Sequence, residues 1–422
     1  MSSAEAKVIA VLSQGCAANF GDGEKIARAL SAQIPDCTIS FEFPTEPPHA
    51  FYLNVCTVKG NSTALKLVQR AASAFPQVPI FITGCAPRDF REEAKKITDK
   101  ITFTSLKELE SMDSSGTSTL RQSPFVGIVN IEEGCLDACA FCSTRLVKGR
   151  LKSFPEGAIV EQVQRLVDDG CLEIQLTGQD CACYGFDTGT NLAYLVQKIL
   201  TKVTGDYRLR LGMGNPRHIL AYKDALLECF QDERVYRFLH IPVQSGSDHV
   251  LQLMNRKHSV EDYRKFALEL LEKFPLFTLS TDLIVGFPGE TEDDFKQTMD
   301  LLKKTRPTVC NITRFIAREG TVAARMESAD TSDCKAVPDS VKHERSAQLF
   351  ETFEKIAQEN NAQWIGSTCT VITEKSGHRE GTTIGRNNAY RPVALAGNIP
   401  AGEKLQVRII KAEPFALIGE RL

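Results

Sequence analysis

Cys135, Cys139 and Cys142 stand in a C-x3-C-x2-C run, Gly134-Cys135-Leu136-Asp137-Ala138-Cys139-Ala140-Phe141-Cys142. Three thiolates so spaced can ligate three irons of a [4Fe-4S] cluster and leave the fourth iron open to another molecule. The competing chemistry is structural zinc, which wants four ligands, usually as paired C-x2-C or C/H units, and no fourth Cys or His follows nearby. A second set of thiols is dispersed: Cys16, Cys56 and Cys85 each end or closely follow a strand-like run, at residues 8–12, 51–55 and 79–82. If those strands are parallel, the three thiols converge at the carboxyl edge of one sheet, where open α/β folds bind ligands. Periodicity alone leaves an equal reading, in which the three are unrelated small core residues.

The elements that must position these thiols fall into three segments. From residue 7 to about 112, short β-rich runs alternate with helical stretches at 23–31 and 62–74, which predicts a parallel α/β domain. A Ser/Thr-rich stretch at 111–123, closed by Pro124, reads as a linker. Between 125 and 360 six strand candidates appear, at 126–131, 172–177, 207–211, 237–242, 276–285 and 309–315. Helical patterns separate most of them, so a partial β/α barrel of six units is expected, closed by a long amphipathic helix over 342–360. From Trp364 onward, short strands and Gly-rich turns predict a small all-β barrel. The expected domains are therefore 1–115, 125–360 and 363–422 in an α/β protein overall. The Cys135–Cys142 run follows the first barrel strand, and active sites of such barrels gather at the carboxyl ends of strands.

Composition bounds the partners. With 422 residues and 42% hydrophobic content the chain can build two or three cores. No apolar run reaches membrane-spanning length and residues 1–10 lack the build of a signal peptide, so a cytoplasmic protein without membrane contact is expected. Fourteen Cys suit metal ligation in a reducing compartment better than disulfides. The formal net charge of -3 gives no global attraction to nucleic acid, but residues 364–422 carry eight Lys/Arg against five Glu and no Asp. Within them Arg386, Tyr390 and Arg391 combine cation and aromatic, suited to phosphate contact and base stacking.

The motifs resemble, in order, those of the radical S-adenosylmethionine (SAM) methylthiotransferase family. Ser13-Gln14-Gly15-Cys16-Ala17-Ala18-Asn19, Gly21-Asp22-Gly23-Glu24, Asn54-Val55-Cys56-Thr57-Val58-Lys59 and Gly84-Cys85-Ala86-Pro87-Arg88 are similar to the family's amino-terminal motifs. Leu209-Arg210-Leu211-Gly212-Met213-Gly214-Asn215-Pro216, His240-Ile241-Pro242-Val243-Gln244-Ser245-Gly246-Ser247 and the run from Thr281-Asp282 to Gly286-Phe287-Pro288-Gly289-Glu290-Thr291 are similar to its barrel motifs. The last segment looks like a TRAM domain, an RNA-binding barrel. Several runs resemble the archaeal and eukaryotic branch that converts N6-threonylcarbamoyladenosine beside the anticodon, at position 37, to its 2-methylthio form. One departure lies at Arg314-Phe315-Ile316-Ala317-Arg318-Glu319-Gly320-Thr321, where a Y-x-R-P-G-T type run keeps only Arg318, Gly320 and Thr321.

The resemblance implies two [4Fe-4S] clusters and SAM. Cys135, Cys139 and Cys142 would hold the cluster that chelates SAM and generates a 5′-deoxyadenosyl radical, and Cys16, Cys56 and Cys85 a second that delivers sulfur. Glu173, Gln179, Gln244 and Asp282 are expected to contact SAM, and Arg386, Tyr390 and Arg391 the tRNA. An electron donor of flavodoxin or reductase type is implied; the sulfur source stays open. Of the other eight cysteines, Cys181 and Cys183 alone follow a strand at the expected active-site end. Arg217, Arg256, Lys257 and His258 are candidate partners for a carboxylate or phosphate, though isolated basic residues are more often solvated surface. Isopentenyladenosine or a ribosomal-protein aspartate remains an alternative substrate, and a non-catalytic RNA-binding relative or an iron–sulfur electron carrier an alternative class.

Overall fold

The computed structural model describes residues 7–34, 36–56, 61–105, 108, 120–329, 331, 334–377 and 379–422. Residues 57–59 of the second amino-terminal motif and most of the expected linker lie outside them.

The amino-terminal unit is a five-stranded sheet of β1 (Lys7–Ser13), β2 (Cys37–Ser40), β3 (Ala50–Cys56), β4 (Ile80–Cys85) and β5 (Ile101–Phe103), in the order β2-β1-β3-β4-β5. Every pairing is parallel, as the strand–helix alternation requires, because a parallel neighbour is reached only by a crossover. Burial of Ala10, Phe51, Leu53, Val55, Ile80 and Ile82 against the helices Ser62–Ala74 and Arg88–Lys95 forms one face of its core. The helix Ala17–Gln33 covers the other face through Ile26, Ala27 and Leu30.

The central unit contains β6 (Val126–Asn130), a short hairpin of β7 (Glu132–Glu133) and β8 (Lys152–Ser153), then β9 (Glu173–Thr177), β10 (Arg208–Arg210), β11 (Phe238–His240), β12 (Thr278–Val285) and β13 (Val309–Arg314). β6, β9 and β10 form one parallel sheet and β11, β12 and β13 another. A parallel bridge from Leu209 to Val235 joins them. All six expected strands are present in chain order as an open barrel, around a core that includes Ile174, Leu176, Leu209, Leu239, Leu279 and Leu283. The long helix is Asp339–Ala362, three residues earlier in its start than the pattern suggested.

The last unit is a closed five-stranded barrel of β14 (Thr368–Ser376), β15 (Thr382–Asn387), β16 (Pro392–Ala396), β17 (Lys404–Glu413) and β18 (Ala416–Arg421). Closure removes the unpaired edges that short strands would otherwise expose. Among the described residues no helix is long and apolar enough to cross a membrane.

Candidate iron–sulfur and cofactor site

The parallel sheet does bring the dispersed thiols together. Cys56 and Cys85 are register partners at the last position of β3 and β4. Cys16 follows β1 and precedes the first turn of helix Ala17–Gln33. Gly15 makes the approach possible: its φ is +108°, and a Cβ there would stand 2.8 Å from Cys56 Sγ, so only glycine fits. Asn19 and Asn54 lock the two loops. Asn19 Nδ2 donates to Gln14 O at 2.6 Å and to Asn54 O at 3.1 Å, and Asn54 Nδ2 returns a bond to Asn19 O at 2.5 Å. Burial pushes the Cys85 thiol up to about 12, and the nearby Cys56 and Cys16 add to the effect while Lys148 opposes it. A thiol so destabilised as an anion becomes a thiolate readily only when a metal takes its charge.

The second triad sits on the loop after β6 and β7. Gly134 has φ +83°, and a Cβ would fall 2.1 Å from Arg150 O. Gln179 Oε1 accepts from Gly134 N–H at 2.7 Å, and Cys135 N–H donates to Gly149 O at 3.3 Å. Cys142 Sγ accepts from Thr144 N–H at 3.4 Å, and Cys139 Sγ from Arg256 Nη1 at 3.4 Å. Burial raises Cys139 to about 11 against the pull of Arg256. Cys135 moves the other way, because the Cys183 thiol hydrogen-bonds to it and favours its thiolate. The donor groups that lie within 4.8 Å of one another, among the described residues, are Asp180, Cys183 and His218, and neither thiol triad is that compact. That lack of compactness argues against a single zinc ion held by either triad, since a zinc ion draws its ligand atoms close together.

Behind the loop lies a buried network. Asp137 accepts from Arg217 Nη1 at 2.6 Å and from Asn215 Nδ2 at 2.7 Å; Asp180 accepts from Asn215 N–H at 2.9 Å and meets His218 Nδ1 at 2.9 Å. Burial alone would lower the His218 pKa, but the hydrogen bonds to Asp137 and Asp180 outweigh it and hold it at about 9. Glu132, pushed up to about 8 by burial, accepts from Asp180 N–H at 3.0 Å and would collide with any side chain at Gly178. His218, Asp137 and Lys148 carry no individual signal in the sequence: Asp137 and Lys148 lie within or just after the Cys135–Cys142 run, and His218 two residues past the Leu209–Pro216 motif.

Charged groups link the surroundings of the two triads. The charge of Cys16 is felt at Cys181, which follows β9 in the barrel. Lys148 lies close enough to Cys85 to stabilise its thiolate, and its Nζ is held by Asp22 Oδ2 at 2.8 Å. Burial lowers the Arg318 pKa, while the charges of both Cys142 and Cys56 raise it, so this guanidinium senses one thiol of each triad. Arg318 thus lies within electrostatic reach of Cys142 and of Cys56, despite the lost Tyr and prolines around it.

The remaining expected contacts divide. Gln244 is buried with φ +77° and bridges to Leu283. Asp282 Oδ1 meets His240 Nε2 at 2.9 Å and Asn311 Nδ2 at 2.7 Å, on strands whose carboxyl ends open toward the cluster loop. Glu173 is a correction. It is the first residue of β9, at the end of the strand away from the thiols, and accepts from Tyr390 OH at 3.1 Å, Tyr236 OH at 3.1 Å and Gln175 Nε2 at 2.6 Å. Contacts of this kind correct the assignment of Tyr390 and Arg391 to RNA, whereas Arg386 keeps a side chain 28% exposed. Arg391 is 5% exposed and donates to Asn361 Oδ1 at 2.5 Å and Thr308 Oγ1 at 3.0 Å. Arg386 pairs with Glu374 at 3.1 Å and lies over the Tyr390 ring. Tyr390 and Arg391 are thus used in seating the last barrel on the central one, while Arg386 braces Tyr390 from within the barrel; sequence composition cannot distinguish these roles from a surface patch.

Comparisons agree with this architecture. A radical SAM superfamily model matches residues 129–302 and a TRAM domain model residues 362–422. The apo form of the cobalamin-dependent SAM radical enzyme OxsB shares the fold with a TM-score of 0.55 at 12% identity, over 85% of this chain and 68% of that one. An Archaeoglobus fulgidus protein named "Probable threonylcarbamoyladenosine tRNA methylthiotransferase" is 33% identical over 98% of each chain. Threonylcarbamoyladenosine tRNA methylthiotransferases of Drosophila melanogaster (31% identical, over 97% of this chain and 76% of theirs) and Homo sapiens (30%, over 96% and 72%) are similar as well. With identity at this level running from one end of the chain to the other, the protein belongs to the threonylcarbamoyladenosine tRNA methylthiotransferase family of radical SAM enzymes.

Proposed function

We propose that this chain converts N6-threonylcarbamoyladenosine at position 37 of tRNA to its 2-methylthio derivative. The observation that supports the reading is that Arg318 and Lys148 link the surroundings of the two thiol triads, since inserting sulfur at an unactivated C–H position needs hydrogen abstraction and sulfur delivery within reach of one atom. When bound, SAM on the cluster of Cys135, Cys139 and Cys142 supplies the hydrogen-abstracting radical, and a second cluster on Cys16, Cys56 and Cys85 supplies the methylthio group. The chain's own residues set the geometry. Gln179 holds the backbone ahead of Cys135, and Asp22 fixes Lys148 beside Cys85. Gln179, Gln244 and Asp282 are retained as candidate cofactor contacts. The domains we assign are 1–115, 125–360 and 363–422, with electrons from a flavodoxin- or reductase-type donor in the cytoplasm.

Tests of substrate and of site are separable. Nucleoside mass spectrometry of tRNA from cells lacking the protein should show loss of the 2-methylthio nucleoside with its unmodified precursor retained; an unchanged profile would reject the substrate. Replacing Cys135, Cys139 and Cys142 with Ala should remove about half the iron of the reconstituted protein and stop 5′-deoxyadenosine formation. Replacing Cys16, Cys56 and Cys85 should remove the other half and spare 5′-deoxyadenosine. Full iron in either triple variant would refute the two-cluster assignment.

A further inference from the structure

The cluster loop is gripped from one side by residues 254–256. Ala140 N–H donates to Met254 O at 2.9 Å, Asn255 Nδ2 to Ala138 O at 2.7 Å, and Arg256 Nη1 to Cys139 Sγ at 3.4 Å. Asn255 adopts φ +56°, a left-handed turn that asparagine tolerates, immediately before Arg256. Arg256 Nη2 donates to Pro242 O at 2.7 Å, so the guanidinium is fixed at two points, and the residue is 8% exposed. Its Nε has no hydrogen-bond partner among the described residues.

A buried guanidinium is costly unless it faces negative charge. The Pro242 carbonyl is neutral, which leaves the Cys139 sulfur as the anion that the fixed donor addresses directly. Asp137, the nearby carboxylate, is bonded instead by Arg217 and Asn215. A thiolate that accepts an N–H bond from a cation gives less electron density to its iron, and hydrogen bonds to ligand sulfurs are one of the protein's levers on cluster potential. We propose that Arg256 is a positioning residue that raises the reduction potential of the barrel cluster through Cys139, easing the electron uptake that must precede SAM cleavage. The proposal rests on reading Cys135, Cys139 and Cys142 as cluster ligands. Its sign follows from charge: an added electron is stabilised by a nearby cation, so removing the cation makes the cluster harder to reduce.

The test uses the full chain carrying Cys16→Ala, Cys56→Ala and Cys85→Ala, so that one cluster gives the signal, reconstituted anaerobically and titrated redox-potentiometrically by electron paramagnetic resonance. At a fixed reducing potential, Arg256→Gln should hold a reduced-to-oxidised ratio about tenfold lower, equivalent to about 59 mV for one electron. Arg256→Lys, which keeps the charge but cannot reach Pro242 O and Cys139 Sγ together, should fall between. Iron content is measured alongside. If Arg256→Gln sheds its iron, Arg256→Lys decides the matter. A parental midpoint in the variants that keep iron overturns the proposal, as does loss of iron from both variants in folded protein, which would make Arg256 an assembly residue. Absence of iron from the parent protein would instead overturn the cluster reading beneath it.

Discussion

At the scale of single residues, burial of charge decides which side chains matter. Glu24 is 3% exposed, accepts from Gln122 N–H at 3.1 Å, and is pushed by burial up to about 7, with Arg28 and Arg121 opposing. It ties the amino-terminal helix to the segment leading into the barrel. Because its folded pKa lies above its unfolded value, the native state binds the extra proton between about pH 4.5 and 7. Stability from this group is therefore full below that window and is lost as pH rises through it. The loss is at most about 3 kcal/mol by the free energy of one pKa unit. Glu24→Gln should flatten the fall in Tm between pH 5 and 7; an identical slope in variant and parent would show that another group controls it.

At the scale of elements, turns of restricted shape place the thiols. Gly134 is the sharpest case, since a methyl group there meets the Arg150 carbonyl and the φ of +83° disfavours any side chain. Left-handed strain costs about 1–3 kcal/mol by itself, and the clash adds displacement of the Cys135 loop. Gly134→Ala should therefore lose iron from the barrel site while Tm of the amino-terminal domain changes little. Iron analysis against the Cys135/Cys139/Cys142 triple variant measures this, and retention of full iron would mean the loop can shift without cost. Gly15 makes the same demand at the other triad, where the obstacle is Cys56 itself.

At the scale of the whole molecule, the last barrel is fastened to the central one by a polar interface. Tyr390 stacks edge-on against Tyr236 with centroids 5.0 Å apart while its hydroxyl bonds Glu173; Thr278 Oγ1 donates to Ala389 O at 2.6 Å; Asn361 Nδ2 donates to Glu413 O at 2.7 Å. Arg391→Met removes two buried hydrogen bonds and strands Asn361 and Thr308, at a cost of about 2–4 kcal/mol. The expected result is faster proteolysis between residues 362 and 368 and weaker tRNA binding with SAM cleavage intact. Unchanged proteolysis would mean that the interface holds without it. Deleting residues 364–422 would uncover Glu173 and Tyr236, so point changes are the cleaner probe. For RNA contact the exposed Lys375 and Arg408 of the barrel remain. If each meets a phosphate, Lys375→Glu with Arg408→Glu should lower the slope of log affinity against log salt by about 0.7–0.9 per contact, and an unchanged slope would exclude phosphate contact by these two residues.

Local spacing was enough for some of this. The C-x3-C-x2-C run keeps its three thiols on one loop in almost any fold, and the alternation of β-rich and helical runs left few topologies besides a parallel sheet, an open six-unit barrel and a small β-barrel. The dispersed triad was legible only on the condition that its strands were parallel, a condition the sheet order meets. What tertiary structure alone decided was the use of isolated polar residues. Arg256 stands 117 residues from Cys139 and Glu173 stands 217 from Tyr390, and no periodicity relates side chains at that separation. Charge and type marked Arg256 as a possible ion partner and Tyr390 as a possible base stacker, but a sequence carries no record of which buried group each one faces. The same cation can be solvated surface, a phosphate contact or the donor to a thiolate, and only burial together with a fixed partner selects among them.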